Sequence, residues 1–124
     1  KTGSELPQPV VPRDGKILDI LRYLEANLAE DISIDDLAAH FFISKYHMMR
    51  RFREETGTSI HNYLSDKRLL AARDLIQPGL SATDACFRCG FRSYSAFSRA
   101  YGKLFGATPT GRIVQTLHAD DFDE

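Results

Sequence analysis

Two stretches decide the fold when laid over one another: SIDDLAAHFFISKYHMMRRFREETG (33–57) and SATDACFRCGFRSYSAFSRAYGKLFG (81–106). Ser33 meets Ser81 and Asp36 meets Asp84 at an offset of 48. Past one extra residue in the second copy, Ser44 meets Ser93, Met48 meets Phe97, Arg50 meets Arg99, Phe52 meets Tyr101 and Gly57 meets Gly106 at an offset of 49. Each copy opens on a serine with an acid three residues on, the mark of a helix N-terminus whose first free N–H groups are capped. A second serine starts a longer helix, and a glycine that tolerates left-handed backbone stops it. Each copy is therefore a short helix, a brief turn and a longer helix, which is a helix-turn-helix unit. Two copies are too few for a solenoid.

Working outward, the flanking segments are helical as well. From Asp14, a plausible N-cap, Ile17, Leu21, Leu24 and Leu28 keep helical spacing to about Ala29. Between the copies, Ile60, Leu64, Ala71 and Leu75 mark a linker helix over about 59–76, which Gln77-Pro78-Gly79 ends. No stretch of useful length alternates with period two, so the fold class is all-α. Residues 1–13 hold three prolines and read as a linker from a missing N-terminal part; residues 114–124 form an acidic tail.

The net charge of −1 hides a segregated distribution. Residues 17–40 hold Arg22 against Asp19, Glu25, Glu30, Asp31, Asp35 and Asp36, whereas residues 85–117 hold five basic side chains and no acid. Ser44–Arg53 carries four more positive charges and none negative. Two basic blocks on a mild scaffold suit a polyanionic partner that touches part of the surface; double-stranded DNA is the one that the family resemblance stated below implies. The acidic first helix suits contact with another domain or RNA polymerase. No apolar run reaches the ~18 residues that span a bilayer, and two cysteines are too few for a disulfide scaffold, so a cytoplasmic protein is expected.

In the longer helix of each unit, Met48 and Phe52, or Phe97 and Tyr101, face inward together, which turns the basic residues outward. Guanine presents two adjacent acceptors in the major groove, and the guanidinium fork matches both. Arg50 and Arg99, at equivalent outward positions, are the first candidates for base contact. Lys45, Tyr46, Met49 and Arg53 accompany the first; Arg92, Tyr94, Ser95, Ala96 and Lys103 accompany the second. Ser44 and Ser93, at the helix N-termini, suit phosphate.

Other residues carry plainer readings. Arg51 is as well a solvated charge as a DNA contact. Arg68, midway along the linker helix, is read as a structural ion pair, and His47 as a packed ring. Cys86-Phe87-Arg88-Cys89 is formally C-x-x-C but stands alone, and small core side chains on a helix explain it. His40, His61 and His118 show no ligand spacing, so neither metal nor cofactor is expected. Nothing assembles a nucleophile with a base, paired carboxylates or a phosphate loop, so the chain is not expected to be an enzyme. A pure protein–protein module, built on the acidic first helix and tail, is the other rival. The acid-free basic blocks count against it as the sole role.

The chain resembles the DNA-binding domain of AraC/XylS-type bacterial transcription regulators over about residues 17–110. The matching residues are Leu37-Ala38, Ser44, Arg50, Phe52 and Gly57, then Tyr63-Leu64, Arg68-Leu69, Ala72 and Leu75, then Gly90-Phe91, Ser95, Phe97-Ser98-Arg99, Lys103, Phe105-Gly106 and Thr108-Pro109. The pair Ala85-Cys86 is a smaller filling than the family pattern, and Gly102 interrupts the last recognition helix. The resemblance implies about seven helices in a domain over 14–113. It also implies two helix-turn-helix units (about 33–57 and 81–106) reading successive major-groove segments of a promoter site. A preceding effector or dimerisation domain is implied too.

Overall fold

The computed structural model describes residues 12–111. Among them are six helices and no strand: α1 (Gly15–Ala26), α2 (Ile34–His40), α3 (Lys45–Thr56), α4 (Ile60–Ile76), α5 (Ala82–Arg88) and α6 (Tyr94–Phe105). The all-α expectation is met, and a seventh helix would fall past Gly111, outside the described residues, as do residues 1–11 and the acidic tail.

Every expected cap forms, and Ser59, the expected start of the linker helix, caps α4 as well. Asp14, Ser33, Ser44, Ser59, Ser81 and Ser93 each accept a hydrogen bond from a backbone N–H in the first turn of the helix that follows. Gly57 and Gly106 close α3 and α6 in left-handed conformation, at φ +80° and +77°. One boundary moves: α1 ends at Ala26, three residues before the expected Ala29. Asn27 is the cause. Its side-chain amide donates to the Tyr23 carbonyl at 2.9 Å, competing with the helical ladder there.

Two apolar cores form, and they share no residue. The first joins Ile17, Ile20, Leu21 and Leu24 of α1 to Leu37, Ala38, Met48, Phe52, Ile60 and Leu64. The second joins Leu69 and Ala72 to Ala85, Cys86, Cys89, Phe97 and Tyr101. The linker helix α4 therefore serves one core with its first half and the other with its second. That corrects the single stripe expected on it. Ala71 and Leu75 lie only partly buried, while Leu69 and Ala72 are the buried pair. The five residues from Leu64 to Leu69 rotate the inward face by about 140°, since each helical residue advances about 100°.

The turns of the two units differ. In each, the third residue after the short helix donates its N–H back to that helix: Ile43 to the Ala38 carbonyl and Phe91 to the Cys86 carbonyl. The extra residue of the second copy is therefore Arg92, set between that turn and Ser93. Just before, Phe42 (φ +54°) and Gly90 (φ +101°) occupy the same place in left-handed backbone. Phe42 is 92% exposed, so no burial offsets its strain.

Candidate nucleic-acid interface

Helix α3 presents Tyr46, Met49, Arg50 and Arg53 on its outer face, opposite the buried Met48 and Phe52. Tyr46 is 84% exposed, an unusual placement for a large ring with no fold to hold together. Arg50 meets the His47 ring, Nη2 to Nδ1 at 3.4 Å, so His47 is an exposed neighbour of the site and not the packed ring expected. A groove of about 490 Å³ runs beside this face, lined by Met49, Arg50 and Arg53 from α3, and by Ile34, Ile60 and His61 from α2 and α4. Ile34 and His61 were not foreseen as part of it. Their position at the first residues of α2 and α4 was the available signal, because those ends flank α3.

Helix α6 repeats the arrangement with smaller residues. Ser95, Ala96, Arg99 and Lys103 are exposed, opposite Phe97 and Tyr101. Tyr94 differs from its expected outward position: it lies half-buried with its ring 5.7 Å from that of Phe97. Among the described residues, no ion pair engages Arg50, Arg53, Arg99 or Lys103. Their full charge is available to a ligand.

Four other basic residues, Lys45, Arg51, Arg68 and Arg92, are engaged within the fold. Lys45 reaches Asp35 at 3.2 Å, tying α3 to α2 at an exposed edge. Arg92 reaches Asp31 at 2.6 Å, from the second unit to the loop after α1. Arg51 is the hub of three acids: Asp14 at 2.9 Å, Glu54 at 2.9 Å and Glu55 at 3.2 Å. Neither sequence reading describes it: Arg51 is a partly buried ion-pair hub, and a guanidinium with three carboxylates has little left for a phosphate. Its hydrogen bonds hold the Asp14 carboxyl below its ordinary range. Among the described residues, Arg68 makes no ion pair. It donates to the carbonyls of Leu28 and Glu30, both at 2.7 Å.

The acidic face of the first unit is partly consumed in the same way. Glu25 accepts from the Tyr63 hydroxyl at 2.6 Å and pairs with Lys67 at 3.3 Å, which lowers its pKa; burial first, and then the bond to Glu25, raises that of the phenol. With Asp31 and Asp35 also paired, half of the six acids serve internal contacts. Cys86 and Cys89 are buried free thiols, pushed above the ordinary thiol range by that burial. Among the described residues no cluster of three or more His, Cys, Asp or Glu side chains could hold a metal, and no helix is long and apolar enough to cross a membrane.

Residues 37–111 match the family model described as a helix-turn-helix domain. The chain is 32% identical over 107 residues to the HTH-type transcriptional activator RhaS of Klebsiella pneumoniae, covering 86% of this chain and 38% of that protein. It is 37% identical over 94 residues to the probable transcription factor PqrA of Proteus vulgaris, covering 73% of this chain and 77% of that one. Among solved structures, it is similar to an AraC-type regulator from Chromobacterium violaceum (33% identity, TM-score 0.71, 77% of this chain and 87% of the other). It is also similar to the DNA-binding domain of AdpA in complex with a target DNA (28% identity, TM-score 0.72, 77% and 86%). This chain thus spans little more than a third of RhaS and most of PqrA.

Proposed function

From the premise that the chain belongs to the AraC/XylS family of transcription regulators, we propose that it reads duplex DNA with both units, α3 and α6 entering successive major-groove segments of a promoter site. The observation that carries this is the pair Arg50 and Arg99: equivalent in the repeat, both exposed, and both without a carboxylate partner among the described residues. A guanidinium fork so placed bonds guanine O6 and N7 together, worth about 1–3 kcal/mol of discrimination. Tyr46 and Met49 offer apolar surface to a thymine methyl, and Ser95 a small polar contact. The N-termini of α3 and α6, capped by Ser44 and Ser93, face phosphate, with Lys103 and Arg53 adding charge. The relatives' names support a role in transcription control, RhaS being an activator. An N-terminal effector or dimerisation domain and contact with RNA polymerase complete the reading for the whole regulator.

Selection of preferred sites from random duplex DNA tests it. Wild type should enrich a site with two boxes; Arg50→Ala should lose preference in one box and Arg99→Ala in the other. Unchanged preference in both variants would refute the assignment of the recognition faces.

A further inference from the structure

The two units meet along a polar seam, and its construction goes beyond what capping and core packing require. No apolar residue belongs to both cores, so hydrophobic burial fixes each unit internally without fixing one against the other. Helix α4 joins them, but its middle turn, from Ser65 to Arg68, holds no buried residue. Bending there would swing α6 relative to α3.

Arg68 sits in that middle turn and reaches out of it. Its Nε donates to the Leu28 carbonyl and its Nη2 to the Glu30 carbonyl, both in the loop that follows α1. Two bonds from one planar fork define an orientation as well as a distance. Burial lowers the pKa of this guanidinium, and among the described residues no carboxylate bonds it, so the two carbonyls satisfy it. On the other side of the seam lies the turn of the second unit. A Cβ on Gly90 would stand 2.8 Å from Arg68 Nε, 3.0 Å from the Leu28 oxygen and 3.1 Å from Ala29 Cα. The second unit's turn here meets the backbone of the loop after α1, whose Leu28 packs on the first core, and only a residue without a side chain fits. In the first unit the same place is held by Phe42, exposed to solvent, so the close approach is peculiar to the second. Arg92, the extra residue of that unit, closes the outer edge on Asp31.

We infer that Arg68 and Gly90 are positioning residues: clamped on the Leu28–Asp31 loop, they hold α3 and α6 at one angle and spacing, so that the chain accepts its two boxes at a single separation. The inference rests on the proposed two-box reading for its consequence on DNA, and on the seam alone for rigidity. Its reach is large because one added base pair turns the second box by about 34° and shifts it by about 3.4 Å. A rigid pair of helices follows neither change.

Two measurements test it. In the free chain, residual dipolar couplings from α1–α3 and from α5–α6 should fit one alignment tensor in the wild type and require two in Arg68→Ala. On the duplex recovered by selection, one base pair inserted between the boxes should weaken wild type about tenfold or more, the equivalent of a modest DNA bend. The same insertion should weaken Arg68→Ala about threefold or less. If Arg68→Ala loses its helical signal, Arg68→Lys carries both measurements, because an ammonium lacks the fork that bonds both carbonyls in one orientation. A wild type needing two tensors, or a folded variant keeping one tensor and the full spacing penalty, overturns the inference. A wild type that binds no duplex refutes the proposed function instead, and the tensors then judge the seam alone.

Discussion

Phe42 and Gly90 hold the same turn of the repeat in left-handed backbone, one fully in solvent and the other wedged against the opposite unit. Opposite consequences follow for the same kind of change. Phe42→Gly should stabilise the domain by about 1 kcal/mol, because left-handed backbone costs a side-chain-bearing residue about 1–2 kcal/mol and almost no burial is lost. Gly90→Ala should destabilise by about 2 kcal/mol or more, since strain is joined by overlap with two backbone atoms. Urea denaturation of both variants measures this, and a Phe42→Gly variant less stable than wild type would show that the ring has a contact of its own.

Acid should weaken the first unit through Asp14. The carboxylate, held below its usual pKa by Arg51 and by two backbone N–H groups, contributes stability that is present above the unfolded value near 4. That contribution is lost as pH falls through the lower folded value, and Glu25, depressed by Tyr63, adds to the same limb. Asp14→Asn keeps a competent cap while removing the charge. Thermal unfolding between pH 6 and pH 2 should therefore show a shallower acid limb in Asp14→Asn; an unaltered limb would place the titration elsewhere.

Salt should loosen the complex as a few phosphates dictate. The logarithm of affinity falls with that of salt by about 0.9 per phosphate neutralised. Lys103→Ala should reduce the slope by about that amount and weaken all sequences alike. Removing Asp120, Asp121, Asp123 and Glu124 should tighten non-specific binding modestly, because four like charges leave. Binding indifferent to salt would contradict the electrostatic half of the account.

Much of this domain is legible in its sequence because helix ends are local chemistry. Ser33, Ser44, Ser81 and Ser93 announce their helices by a hydroxyl that bonds a first-turn N–H, and Gly57 and Gly106 end theirs by backbone freedom. The outward set on α3 follows from the inward pair Met48 and Phe52 by helical geometry alone. What escapes is what depends on the second unit's placement. Arg68 reads as an ion pair because sequence shows acids nearby but not carbonyls left free where α1 ends. The pairing of Arg92 with Asp31 escapes because the two lie 61 residues apart, in the second unit and in the loop after α1. The stripe on α4 fails because one helix feeds two cores on different faces. Arg51 reads as an exposed charge because Asp14, which folds back beside it, lies 37 residues away.

The central claim is that one chain contacts two major-groove segments on one side of the duplex. Helix α4, with 17 residues, spans about 26 Å, and successive major-groove faces lie about 34–36 Å apart, a gap that the attachment of each unit beyond the ends of α4 has to make up. Hydroxyl-radical footprinting of the monomeric chain on its selected site measures this directly. The account predicts two protected patches about one helical turn apart on the same face, arranged asymmetrically. Patches on opposite faces, a single patch, or a two-fold symmetric pattern from a proven monomer would contradict it.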